Sequence, residues 1–193
     1  EMHADAAAGL GLGLGLGLVG AYLWFQRTSL KQPTATSECD GRYRRLASCV
    51  AANVTFGKGV TVVEPANLYG CTIGDGAFIG PFTEIQSGVV IGARSRVQSH
   101  AFVCSLVSVG SDCFISHGAM FINDPFSKGG PSFAADSDCW RPTRIGDRVS
   151  IGTNATVMPV TICNDVVIGS GSVVTKDIME PGIYAGNPAR KLR

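Results

Sequence analysis

At 193 residues, with 16 Lys and Arg against 15 Asp and Glu, the chain has room for one domain and an appendage. Its net charge of +1 gives no basic excess to neutralise a phosphate backbone, so nucleic acid is not an expected partner. Seven scattered cysteines (Cys39, Cys49, Cys71, Cys104, Cys113, Cys139 and Cys163) form no C-x-x-C pair, which argues against a disulfide framework or a zinc site and for a reducing compartment.

Residues 6–25 carry no charge, alternate Gly and Leu from Gly9 to Leu18, and end in Val-Gly-Ala-Tyr-Leu-Trp-Phe. A run of this length can cross a bilayer as a helix. Tyr22 and Trp24 would then sit at the interface, and Arg27, Lys31, Arg42, Arg44 and Arg45 would hold the following domain in the cytoplasm. The glycines lower helix propensity, so a cleaved targeting segment or a disordered tail competes with the anchor. Residues 1–26 are thus an apolar segment, and residues 27–49, mixed in Thr, Ser, Lys, Arg and Pro without periodicity, read as a linker.

From residue 50 to residue 193 the chain changes character. Large apolar residues recur at every sixth position, first at Val50, Phe56, Val62 and Leu68, then after a five-residue step at Ile73, Ile79, Ile85, Ile91, Val97, Val103, Val109, Ile115 and Phe121. A second residue, mostly small, follows four places after each from Ile73: Ala77, Thr83, Val89, Ser95, Ala101, Val107, Cys113 and Ala119. A period of six is neither that of a helix nor that of one long strand. It predicts short strands joined by tight turns, three sides to a coil, with one large and one small side chain per side entering a shared interior. The irregular opening coils suit the end of a solenoid, where a repeat has one neighbour only.

After Phe121 the phase lapses, and it resumes at Ile145, Ile151, Val157, Ile162, Ile168 and Val174. Counted in threes, Phe121 closes a coil and Ile145 opens the next, so residues 122–144 leave from one corner and return to it. Pro125, Pro131, Pro142 and the Gly129-Gly130 pair make this stretch an excursion, and so long a loop usually serves function.

This pattern resembles the hexapeptide-repeat acyltransferases, which implies an all-β, left-handed parallel β-helix assembled as a homotrimer. The run Gln98-Ser99-His100 followed by Phe121-Ile122-Asn123-Asp124 is similar to that of the nucleotide-sugar N-acetyltransferases. That likeness implies acetyl-CoA as co-substrate, no metal, and an amino group on a UDP- or dTDP-linked sugar as acceptor. The tail Gly186-Asn187-Pro188-Ala189-Arg190 resembles the G-x-P-A-R ending of the same family. The galactoside-type relatives carry a histidine third after the inward aliphatic residue, in a run like Ile-Gly-Ser-His; here the matching run is Ile151-Gly152-Thr153-Asn154, which departs from that subfamily.

Acetyl transfer to an amine needs a proton acceptor for the attacking nitrogen and donors for the oxyanion. His100 stands three places after Val97 and His117 two after Ile115. On a coil of about eighteen residues they fall one strand spacing, roughly 4.8 Å, apart along the stack. Both are candidate catalytic groups; the plainer alternative is that each ring bonds a neighbouring turn. Asn123 and Asp124 open the loop and could reach a sugar, or Asp124 could initiate the turn at Pro125. Glu84 and Gln98 are further sugar-contact candidates. For coenzyme A the candidates are Gly152, Asn154, Gly169 and Ser170, with Lys176 and Arg190 for its phosphates. Exposed Phe102, Val90 and Phe114 are expected to serve a threefold interface.

Three other functions compete. An O-acetyltransferase would share the fold; a γ-type carbonic anhydrase would need a third histidine within the coils, where only two exist; and a β-helix scaffold would leave the long loop and paired histidines without a role.

Overall fold

Strands of two or three residues cannot satisfy their backbone within one turn, so each pairs with its equivalents in the coils before and after. The computed structural model describes residues 44–45, 50–132 and 138–193, all within the unit Glu38–Arg193. The expected apolar segment of residues 1–26 lies outside the described residues, as do residues 27–43 and 46–49 of the linker. No helix among the described residues is long and apolar enough to cross a membrane.

Three sheets form the faces of a prism, giving the all-β, left-handed β-helix expected from the repeat. The first face includes Phe78–Ile79, Arg96–Val97, Phe114–Ile115 and Ser150–Ile151. The second includes Glu84–Ile85, Phe102–Val103, Met120–Phe121 and Thr156–Val157. The third includes Val90–Ile91, Val107–Val109, Thr143–Ile145 and Thr161–Ile162. Pairing begins with Arg44–Arg45 against Thr61–Val62, ahead of the first apolar residue of the repeat.

Both rows of the repeat point inward: from Ile73 to Phe121 no residue of either row exceeds 3% exposure. Stacking each aliphatic residue on its equivalent removes its side chain from water, which stabilises by about 1.5–3 kcal/mol per side chain. The polar members of the small row keep their hydrogen bonds. Thr83 Oγ1 donates to Gln98 O (3.1 Å), while Ser95 Oγ donates to Gly110 O (2.8 Å) and accepts from Cys113 N (2.9 Å).

The long loop leaves the stack intact. Val109 faces Ile145 and Phe121 faces Val157, so the coils on either side keep register although the chain departs between the second and third faces. Arg141 N closes the loop's neck on Asn123 O (2.8 Å). The C-terminal end is covered by Gly182–Ala185, which pairs in parallel with Val166–Ile168 and antiparallel with Arg190–Lys191.

The corner between the third and first faces is a ladder of charge. Arg94 pairs with Asp112 (2.6 Å) and Arg148 with Asp165 (2.7 Å), and each arginine holds its aspartate below the usual carboxylate range. The residues expected at a threefold interface do not make one patch: Phe114 is on the first face, Phe102 on the second and Val90 on the third. Their spacing in the sequence is not a multiple of a full coil, which sends them to different sides.

Candidate active site

From Pro81-Phe82 onward, each turn from the first face to the second is two residues long, and its second residue takes a left-handed backbone. These residues are Phe82 (φ 58°), His100 (φ 62°), Gly118 (φ 65°), Asn154 (φ 55°) and Gly171 (φ 67°). Their amides bind the preceding coil: His100 N donates to Pro81 O (3.1 Å), Gly118 N to Ser99 O (3.0 Å), Asn154 N to His117 O (2.9 Å) and Gly171 N to Thr153 O (2.8 Å). The turns therefore stack as rungs along one edge, the first corner.

His100 and His117 occupy this edge on successive coils, as the repeat length requires. Both are exposed, and each ring is held by the coil before it. The His100 ring stacks on Phe82, with centroids 4.9 Å apart and planes within 10°. His117 Nδ1 lies 2.7 Å from Ser99 Oγ, a hydrogen bond whose donor depends on the tautomer. Ser116 Oγ and Thr153 Oγ1, 2.8 Å apart, tie the next coil to the same edge.

Four of the coenzyme A candidates continue the line. Asn154 is exposed at the corner of the coil after His117, and Ser170 is exposed one coil further. Gly152 and Gly169 belong to the same turns, but their amides are used by the stack, donating to Ile168 O (2.9 Å) and Tyr184 O (2.8 Å). A Cβ on Gly152 would collide with the amide nitrogen of Ser170, so this glycine is required by coil spacing. The tail turn ends the edge, with Gly186 N donating to Ser172 Oγ (3.1 Å) and Ala189 N to Val173 O (2.8 Å). Arg190 follows directly and is exposed. Lys176 stands apart, after the second-face strand Val173–Val174 and away from this edge.

The loop neck lies at the opposite border of the second face. Asp124 is 9% exposed, and its two oxygens accept Phe126 N (2.8 Å) and Ser132 N (2.6 Å). The Ser132 amide, more than any other donor, holds this carboxyl below its ordinary range. The geometry is that of the turn-initiating alternative. Asn123 Nδ2 donates to Ser105 Oγ (2.9 Å) and reaches Ser105 O (3.3 Å), which fastens the loop to the previous coil.

Gln98 belongs to the first corner, directly after Arg96–Val97, and its carbonyl accepts the Thr83 hydroxyl. Glu84 lies on the second face, between the two borders. Glu84 Oε1 accepts Tyr69 Oη and Gln86 Nε2, both at 3.1 Å, and Gln86 Oε1 accepts Ser105 N (3.1 Å). A polar chain thus runs from Tyr69 to the loop neck. Burial, then the bond to Glu84, raises the Tyr69 hydroxyl above its ordinary range, so it stays a donor. Beside Glu84 is a groove of about 340 Å³ walled by Pro65, Ala66, Asn67, Phe82 and Thr83.

Phe82, Ser99, Tyr69 and Gln86 were not singled out by the sequence. Phe82 had a readable signal, because it follows Ile79 by the same three places that separate His100 from Val97. Among the described residues no group of three or more His, Cys, Asp or Glu is placed to hold a metal ion.

Comparison with known proteins agrees with this repeat and fold. The model "Bacterial transferase hexapeptide (six repeats)" matches residues 70–105, and "Hexapeptide repeat of succinyl-transferase" matches residues 142–176. The chain therefore carries transferase-type hexapeptide repeats on both sides of the loop. It is 31% identical over 143 residues to the bifunctional protein GlmU of Sphingopyxis alaskensis, an alignment covering 67% of this chain and 31% of that protein. The chain thus spans about a third of the length of this relative.

Among solved structures, the fold matches a mutant of perosamine N-acetyltransferase from Caulobacter crescentus in complex with CoA and GDP-perosamine. The TM-score is 0.52 at 20% identity, covering 72% of this chain and 55% of that one. It also matches a hexapeptide-repeat acetyltransferase of Vibrio cholerae complexed with acetyl coenzyme A. Here the TM-score is 0.52 at 20% identity, covering 64% of this chain and 70% of that one. These neighbours are acetyltransferases, and their structures hold CoA or acetyl-CoA.

Proposed function

We propose that this hexapeptide-repeat chain is an acetyl-CoA-dependent N-acetyltransferase whose acceptor is an amino group on a nucleotide-linked sugar. The observation that carries the reading is the first corner itself. Two exposed imidazoles on successive coils stand in line with Asn154, Ser170 and the tail turn before Arg190. The neighbours complexed with CoA or acetyl-CoA support the donor, and the one holding GDP-perosamine supports the acceptor class.

The residues present suit such a donor. The glycines of the corner keep it free of side-chain bulk, Asn154 and Ser170 offer hydrogen bonds to a polar chain lying along the coils, and Arg190 offers charge to a phosphate. His100, its ring held flat by Phe82, takes the proton from the attacking nitrogen, and His117 presents its Nε2 one coil away, where a donor could meet the oxyanion. Asn123 and Asp124 act on the site through the loop they fasten. In this reading three copies assemble about a threefold axis, and a neighbouring copy completes the site.

Thiol release from acetyl-CoA, screened against amino-sugar nucleotides, tests the proposal. Release that depends on an amino acceptor is expected. Binding of acetyl-CoA without turnover of any amine, but with turnover of a hydroxyl sugar, would move the chain to O-acetylation; absence of coenzyme A binding would make it a scaffold.

A further inference from the structure

Phe82 is a bulky residue in a left-handed backbone conformation, and it is 58% exposed. Both properties are unfavourable, because a Cβ is crowded at φ 58° and the ring keeps apolar surface in water. Two other rungs of the same corner relieve the strain with Gly118 and Gly171, and a third uses Asn154. Among the described rungs of this corner, Phe82 and His100 both keep a ring at this angle, and strain kept at two stacked rungs points to function there. The Phe82 ring both stacks on His100 and walls the groove that contains Glu84.

The carboxylate of Glu84 is polarised toward one side. Tyr69 Oη and Gln86 Nε2 both bond Oε1, and among the described residues Oε2 has no hydrogen-bond partner. No cation pairs with Glu84 among the described residues. A carboxylate beside a groove walled largely by Pro65, Ala66 and Phe82 suits a cationic occupant with an apolar face.

We infer that the groove between Phe82 and Glu84 is the acceptor subsite, taking a sugar ring against the Phe82 face and its ammonium on Glu84 Oε2. This rests on the acyltransferase reading and makes it specific: the substrate arrives as a cationic amino sugar, captured beside the ring that deprotonates it. Chemical balance agrees with that order. The bound ammonium loses one proton to become a nucleophile, its nitrogen forms a bond to the acetyl carbon, and the carbon–sulfur bond breaks. His100 removes the second nitrogen proton, the departing thiolate takes up one, and one is released to solvent for each turnover.

The test uses the full chain and two probes that differ only in the amine, UDP-glucosamine and UDP-glucose, with binding read by calorimetry. Wild type should bind the amine at least tenfold more tightly. Glu84→Gln should abolish that preference, and Phe82→Asn should weaken both probes at least tenfold. Phe82→Asn should leave the melting temperature unchanged or raised, since Asn154 already occupies the equivalent rung; a role in packing alone would lower it. Acetyl-CoA binding, measured in parallel, separates the two levels of the account. A wild type that binds acetyl-CoA but neither probe, or a Glu84→Gln variant that keeps the amine preference, overturns the subsite while the acyltransferase reading stands. A wild type that binds none of the three overturns both.

Discussion

Ser99 Oγ and His117 Nδ1 lie 2.7 Å apart across one coil, so the residue next to His100 in sequence fixes the ring of the other histidine. Ser99→Ala should release that ring. The imidazole nitrogen-15 shifts of His117 should move toward a mixture of tautomers, and turnover should fall by up to about a hundredfold through loss of orientation. Ser99→Thr, which keeps the hydroxyl, should restore the wild-type spectrum. Identical spectra for wild type and Ser99→Ala would show that the bond does not set the tautomer.

Asp124 makes the loop sensitive to acid. Its folded-state pKa is depressed, chiefly by the Ser132 amide, so its contribution is present above the unfolded carboxylate pKa and is lost as pH falls through the lower folded value. The window is therefore below about pH 4. Hydrogen exchange at Phe126 and Ser132 should accelerate there, and Asp124→Asn should show the same acceleration at neutral pH. Equal protection in wild type and variant would mean that the loop is held by other contacts.

Gly152→Ala should lower the melting temperature sharply, since the added methyl meets the Ser170 amide nitrogen and the Gly169 carbonyl carbon of the next coil. Overpacking of this kind costs about 1–3 kcal/mol. Thermal unfolding checks it; an unchanged midpoint would mean that the coils separate there without penalty.

Much of this was legible because the period of six is imposed by packing that every coil repeats. The inward row from Ile73 to Phe121, the corner from which the loop departs, and the adjacency of His100 and His117 all follow from counting residues per coil. Features that depend on several coils at once were hidden. The chain Tyr69–Glu84–Gln86–Ser105–Asn123 links separate levels through side chains that no period marks. Arg44–Arg45 pairs as a strand without an aliphatic residue to announce it. Phe82 lies outside the inward phase and drew no reading from the period, although its offset from Ile79 places it on the histidine edge.

Steady-state kinetics of His100→Ala, in protein shown to be folded and assembled like wild type, tests the central claim most directly. His100 is exposed on the first corner with its ring held flat on Phe82, so its truncation removes the proposed proton acceptor and leaves the coils and the Asn154–Ser170 edge in place. Turnover of the amino acceptor should fall by about a hundredfold to ten-thousandfold, while affinity for coenzyme A stays near wild type. His100→Asn should retain more activity than His100→Ala, because the amide can orient the acceptor without taking its proton. Wild-type turnover in folded His100→Ala protein would contradict the account and pass the role of proton acceptor to His117 or to water.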